Sequence, residues 1–345
     1  MLMVRKILCL SALLSVFFLT FPVSAFAASG GDEDKTSFIM HHIKDSHAWH
    51  FATVGHTHVT LQLPVIIYSS DRGFEFYSSA NFIDPETHLF GKEHNGYYID
   101  EHDKLKSVDE SRSFIDLSIT KNVAMLFLVL ALTLYLLLSA SRHYKSNPNK
   151  APKGIASFIE PIVLFVRDEI ALPNIGPQYK KFTPYLLTLF FFIWIGNLMG
   201  LLPGAANLTG NIAVTITLAI ITFFVTNLNG NKAYWKHVVA TPGVPLPLLL
   251  IIVPVEIIGL FTKPFALTVR LFVAITAGHI VILSFIGLIF VFESYAVGVA
   301  STLMVVFINI IELLVATIQA YVFTLFSAMY IGAAVADHGH EEAHH

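Results

Sequence analysis

Residues 261–279 read FTKPFALTVRLFVAITAGH, and this stretch decides the fold. It places one arginine, Arg270, inside a run that otherwise has the composition of a lipid-embedded helix. The uncharged flank after it, Leu271 to Phe292, is 22 residues long and is interrupted only by His279. A guanidinium keeps its charge in any protein environment. Holding it near the centre of a bilayer costs about 2.5–3.5 kcal/mol on insertion scales. An arginine snorkelling from a helix end needs an interface within a turn or two, and the C-terminal side offers none. Arg270 therefore reads as a functional charge.

A second long run, Ser294 to Met329, carries the complementary polar groups. Glu312 and Gln319 are seven residues apart and share a helix face. Arg270 and Gln319 average to 294.5, and His279 and Glu312 average to 295.5. A chain reversal at Glu293-Ser294-Tyr295 thus sets Arg270 level with Gln319 and His279 level with Glu312. Arg270 and His279 are nine residues apart, about 13 Å along a helix and on opposite faces. The runs 254–292 and 294–336 contain 39 and 43 residues, against about 20 needed to cross the hydrocarbon core upright. The expectation is a long, strongly tilted helical hairpin.

The blocks EIIGLFTKPFALTVRLF, then AGH, then ELLVATIQAYVFTL resemble subunit a of the F-type ATP synthase, and NLMGLLP at Asn197–Pro203 resembles another of its signatures. The resemblance covers residues 119–338. It implies that Arg270 is the stator arginine facing the carboxylates of a rotating c-ring, with Gln319 beside it. His279 and Glu312 match a half-channel pair, with acid and imidazole exchanged between helices relative to many bacterial members, as in the mitochondrial type. Glu256 and Lys263 match polar positions toward the cytoplasmic outlet. The family usually reads RLFGN or RLFAN where this chain has RLFVA, so Val273 and Ala274 replace a small residue and a polar one at the inlet side.

Composition agrees with a polytopic membrane protein. Of 345 residues, 55% are hydrophobic and 13% charged, and mean hydropathy is +0.67. The formal net charge of −3 decides little. Cys9 is the single cysteine, which excludes an intramolecular disulfide framework. Residues 1–28 read as a secretory signal. Arg5 and Lys6 precede the apolar core from Ile7 to Pro22, and Ala25-Phe26-Ala27 offers a small-x-small cleavage site; an uncleaved anchor is the alternative.

Residues 29–117 then form an exported extension with 15 acidic residues, 7 basic residues and nine histidines, a net of −8. HVTLQLPVIIYS partly alternates and predicts a strand, GFEFYSSANF its partner, and Asp71-Arg72-Gly73 the turn between them. His41, His42, His47, His50, His56 and His58 make a zinc or copper site conceivable. Without cysteine ligands or tight finger spacing, a small solvated β-containing extension is the preferred reading.

The membrane domain is expected over 118–337, with spans near 123–140, 185–202, 212–226, 248–292 and 298–332, and an amphipathic surface helix over about 154–172. Arg142, Lys145, Lys150 and Lys153 follow the first span, Lys180 and Lys181 precede the second, and Lys232 and Lys236 follow the third. Every basic loop thus falls on one side, the cytoplasmic one. Asn197 and Asn211, near the outer span ends, read equally as channel-lining groups or as amides bonding across packed helices. Residues 338–345 form a polar, histidine-rich cytoplasmic tail.

The resulting expectation is an all-α integral membrane protein of five mature spans with a small β-containing exported extension, in the inner membrane of a bacterium. Its function would be that of a non-catalytic, proton-translocating stator subunit. Expected partners are the c-ring, the peripheral-stalk b subunits, the other synthase subunits and lipid. No cofactor, nucleotide loop or nucleic-acid partner is expected. Two other classes fit less well: a stand-alone cation or metal transporter with a histidine-rich ectodomain, and a non-transporting assembly protein, which would not need Arg270, Glu312 and Gln319 in apolar helices.

Overall fold

The computed structural model describes residues 45–54, 57–84, 90–100, 103–109, 112–146, 152, 154–202, 205–239, 245–292 and 294–336. The signal at 1–28, His41, His42, His56 and the tail at 338–345 lie outside these residues. The chain divides into two compact units. One comprises residues 1–128, 199–207 and 279–313, the other residues 129–198, 208–278 and 314–345.

In the first unit, seven strands among the described residues form three small sheets. β1 (Ala48–Val54) pairs antiparallel with β2 (Thr57–Gln62). β3 (Pro64–Ser69) lies between β4 (Gly73–Ser78) and β7 (Phe114–Asp116). β5 (Tyr97–Ile99) pairs with β6 (Leu105–Ser107). The turn at Asp71-Arg72-Gly73 joins β3 to β4, with Ser69 opposite Gly73. The single strand expected over HVTLQLPVIIYS is instead two, β2 and β3, in different sheets. The break falls at Leu63, which is buried and whose N–H donates to Ser79 Oγ at 3.1 Å. Pro64 follows and supplies no N–H, so it suits the first position of a strand. β3 then alternates: Val65, Ile67 and Ser69 point inward, and Val65, Ile67, Phe82, Tyr97, Ile99 and Leu105 form the core.

The extension is fastened to the first long helix, α1 (Lys121–Ser146). Asp45 Oδ1 accepts from the Asn122 N–H at 3.1 Å, Asp45 Oδ2 accepts from Thr120 Oγ1 at 2.8 Å, and the Ser46 carbonyl accepts from the Lys121 N–H at 2.9 Å. Two orphan donors of the first turn are thereby met by Asp45 and Ser46, far back in the chain, and the Asp45 charge lies at the positive end of the helix dipole.

Most of the second unit is helical. α2 (Ile155–Phe165) runs into a π-helical segment (Val166–Ala171), a short α3 (Leu172–Ile175), one 3-10 turn (Gly176–Gln178) and α4 (Tyr179–Gly200). The amphipathic stretch and the next apolar stretch thus form one helical run, 46 residues from Ile155 to Gly200. Pro161 withholds a donor within α2 and a widened turn follows. Gly176, with φ 70°, makes the break before Pro177 that a side chain would resist. α5 (Ile212–Leu228) and α6 (Lys232–Val239) meet at a 105° bend.

Two very long helices complete the chain, α7 (Leu246–Phe292) with 47 residues and α8 (Tyr295–Val335) with 41. At 1.5 Å per residue they measure about 70 and 60 Å, twice the hydrocarbon thickness. Among the described residues, four helical runs are long and apolar enough to cross a membrane, or five if the bent α5–α6 pair counts as one span.

Small residues set the packing of α8. Ala316, Ala320, Ala328, Gly332 and Ala334 are buried, which lets neighbouring backbone approach closely. At Gly332 the approach is closest, because a Cβ there would overlap the Asn174 carbonyl oxygen. Asn231 joins the start of α6 to the end of α8. Its Oδ1 accepts from the Tyr234 N–H at 2.7 Å, its N–H donates to the Ala334 carbonyl at 3.0 Å, and its Nδ2 donates to the Ala336 carbonyl at 2.6 Å.

Two predictions follow from these contacts. Gly332→Val forces backbone apart and should lower thermal resistance or abolish the folded chain, an overpacking cost of at least about 1–3 kcal/mol, read as the melting temperature of the purified protein. Asp45→Ala removes a cap and should cost about 1 kcal/mol; Asp45→Asn, which can still accept a hydrogen bond, should cost less in the same assay.

Candidate functional site: a stacked arginine and a buried imidazole–carboxylate pair

The second unit holds Arg270. The helical turn that buries Leu267, Leu271 and Ile275 on α7 turns Val269, Arg270 and Val273 outward. Arg270 is exposed, and its guanidinium lies over the Phe326 ring of α8 with the carbon 4.3 Å from the ring centroid. The midpoint arithmetic sets Arg270 level with Gln319; the ring it meets is two helical turns further on. The flat cation of Arg270 lies on this aromatic face. Gln319 is half-buried. Glu312, Gln319 and Phe326 recur at intervals of seven and so share one face of α8. That interval is the sequence signal by which Phe326 could have been found.

The exposed side chains that flank Arg270 on α7 are apolar: Phe265, Val269 and Val273. A cation–π contact of this kind contributes about 0.5–2 kcal/mol. The cost of the charge in hydrocarbon is about 2.5–3.5 kcal/mol or more. Phe326 therefore orients the guanidinium without neutralising its cost.

His279 and Glu312 lie in the first unit, with His279 Nδ1 3.4 Å from Glu312 Oε1. The Glu312 side chain is 2% exposed and that of His279 20%. Neither carboxylate oxygen accepts a hydrogen bond of good geometry from a described residue. A carboxylate so enclosed is tolerated only beside a compensating charge or with a proton of its own. The pair sets one imidazole nitrogen beside an enclosed carboxylate, and the other ring nitrogen, His279 Nε2, is buried as well.

The remaining expected site residues fall in separate places in the second unit. Lys263 Nζ lies 5.5 Å from the Tyr330 ring centroid. It borders a narrow cleft that also includes Thr222, Thr226, Asn227 and Tyr234. Glu256 lies 4.0 Å from His237, both partly exposed. Asn197 is buried, donating to the Ala316 carbonyl at 2.9 Å and accepting from Thr209 Oγ1 at 2.7 Å. Those bonds make it a tie between helices. Asn211 is the N-cap of α5, its side chain accepting from the Ala213 N–H at 2.9 Å. Val273 is exposed and Ala274 half-buried.

Of the six candidate metal histidines, His47 is buried 3.9 Å from Asp116, while His50 and His58 lie in the paired strands β1 and β2. Among the described residues, no three His, Cys, Asp or Glu side chains are grouped to hold a metal ion.

Residues 123–332 match the family model described as ATP synthase A chain. The chain belongs to this family. Among ATP synthase A chain relatives, the protein named ATP synthase subunit a from Chloroherpeton thalassium is 50% identical over 237 residues, 66% of this chain and 70% of the relative. ATP synthase subunit a 2 from Chlorobium luteolum is 40% identical over 333 residues, 94% and 83% of the two chains. ATP synthase subunit a from Anaeromyxobacter sp. is 39% identical over 334 residues, 93% and 76%. The last two matches run through the β-containing extension as well. Residues 38–126 also match a domain of unknown function. No observation here favours the stand-alone transporter.

The pairing of His279 with Glu312 yields a prediction. In proton-flux measurements on assembled complexes, His279→Gln and Glu312→Gln should each impair flux, and the double variant should lose much less than the sum. The expected coupling is about 0.5–3 kcal/mol. Strictly additive losses would show two independent groups.

Proposed function

We propose that this membrane subunit of an ATP synthase supplies the fixed positive charge and the proton paths that couple ion flow to rotation of a c-ring. One observation carries the reading. Arg270 projects from an apolar helical surface, oriented by Phe326 and facing outward.

A carboxylate moving through lipid must be neutral, because its ionised form is expensive there. Opposite a permanent cation the same group favours ionisation. Each ring carboxylate arriving at Arg270 thus gives up its proton on one side and takes another after passing. The guanidinium also repels a cation moving straight through, so inlet and outlet stay separate. The drive is about 2.3 kcal/mol per charge per 100 mV of membrane potential.

His279 and Glu312 serve the inlet. An imidazole titrates in the neutral range and hands a proton on, and the neighbouring carboxylate orients it. Glu256 and Lys263 belong to the outlet side, with Gln319 beside the arginine. Asn197 and Asn211 hold the helices that border the inlet. The subunit performs no bond chemistry of its own. It works with the c-ring, peripheral-stalk b subunits and lipid in a bacterial inner membrane. Residues 1–28 are a signal, 29–117 are exported, and the tail is cytoplasmic.

Inverted membrane vesicles carrying verified, assembled complexes test this reading. Arg270→Ala should abolish ATP synthesis driven by a pH gradient and raise passive proton leak, and Arg270→Lys should fail to restore coupling fully. Normal coupled synthesis with alanine at 270 would overturn the mechanism.

A further inference from the structure

The extension has a feature that proton transport does not use. The strand alternation that buries Val65 and Ile67 turns the other face of the β4–β3–β7 sheet outward, and that face is apolar. Tyr68 stands opposite Phe74 and Ile66 opposite Phe76 across β3 and β4, and Tyr68 stands opposite Ile115 across β3 and β7. Phe74, Phe76 and Ile115 are 62%, 70% and 58% exposed, and Leu117, just past β7, is 50% exposed. The rings touch, with Tyr68 and Phe74 centroids 4.9 Å apart and Phe74 and Phe76 6.5 Å apart. Single exposed hydrophobics need no explanation, but a contiguous aromatic face on a sheet does.

The geometry points to a lipid surface as the occupant: this face lies in the headgroup–acyl boundary of the leaflet where α1 begins. The inference rests on reading α1 as a membrane span. Three observations select lipid. First, the patch is continuous in the chain with the apolar wall of α1, since Ile115 and Leu117 stand six and four residues before Lys121, and Phe127 and Leu128 are exposed soon after. Second, the sheet is tied to that helix end. The Ile119 N–H donates to the Pro64 carbonyl at 3.1 Å, the Leu117 N–H to the Ile66 carbonyl at 2.9 Å, and Asp45 caps the first turn. The patch is therefore held within a short reach of the point where the chain enters lipid. Third, residues 29–117 carry a net charge of −8, which opposes docking by attraction to anionic headgroups. The outward face itself has no charge and suits insertion by apolar burial, with the tyrosine hydroxyl at the wet boundary.

Site-directed spin labelling of the full chain in its assembled complex, in lipid nanodiscs, tests this. Cys9 is the single cysteine, so Cys9→Ser provides a clean background. Labels at Phe76→Cys and Ile115→Cys should collide readily with oxygen, and several-fold less with a water-soluble nickel chelate than a label at the exposed Lys92→Cys. High chelate accessibility at both patch positions would place the face in water. Low accessibility to both reagents would place it against protein. Either result overturns the proposal. Labels at Phe127→Cys and Leu134→Cys on α1 separate the two levels: oxygen-rich signals there with a wet or protein-covered patch reject the inference alone, while wet signals at both reject the spanning reading beneath it.

Discussion

A permanent charge on an apolar wall is the constraint on which the rest of this molecule depends. Arg270 cannot neutralise itself, and the ring of Phe326 fixes its direction while leaving most of its cost uncompensated. A protein that keeps such a group must hold it still. The buried row Leu267, Leu271 and Ile275 anchors the opposite side of the same helix. Packing and exposure at Arg270 are two aspects of one helical rotation.

The His279–Glu312 pair obeys the opposite logic. Glu312 is enclosed where Arg270 is displayed, and its counterpart His279 belongs to the same unit. The two helices supply both because each is about twice the length a simple crossing needs.

Much of this was legible in the sequence. Long uncharged runs, the isolated arginine and the shared midpoint of His279 and Glu312 announced the hairpin and one of its contacts, since helical period and antiparallel arithmetic are local rules. What escaped them came from side-chain reach and long-range contact. The contact of Arg270 with Phe326 comes from the reach of a long flexible side chain, which is not confined to its own helical level. Asn197 gave equal support to a channel or a packing role. Only its bonds to Ala316 and Thr209 reveal a tie between helices. The capping of α1 by Asp45 joins residues 77 apart, and no pattern in a short window contains it. The split of β2 from β3 had a visible cause in Pro64, but alternation on both sides masked it.

Asn231 has a consequence for the order in which the chain assembles. It bonds to the carbonyl of Ala336, 105 residues later. When α5 and α6 leave the ribosome, those donors have no partner yet. The intervening hairpin must be made and inserted before the end of α8 can return to them. Asn231 thus acts as a late latch: the bend between α5 and α6 becomes fully satisfied only when the two functional helices are in place.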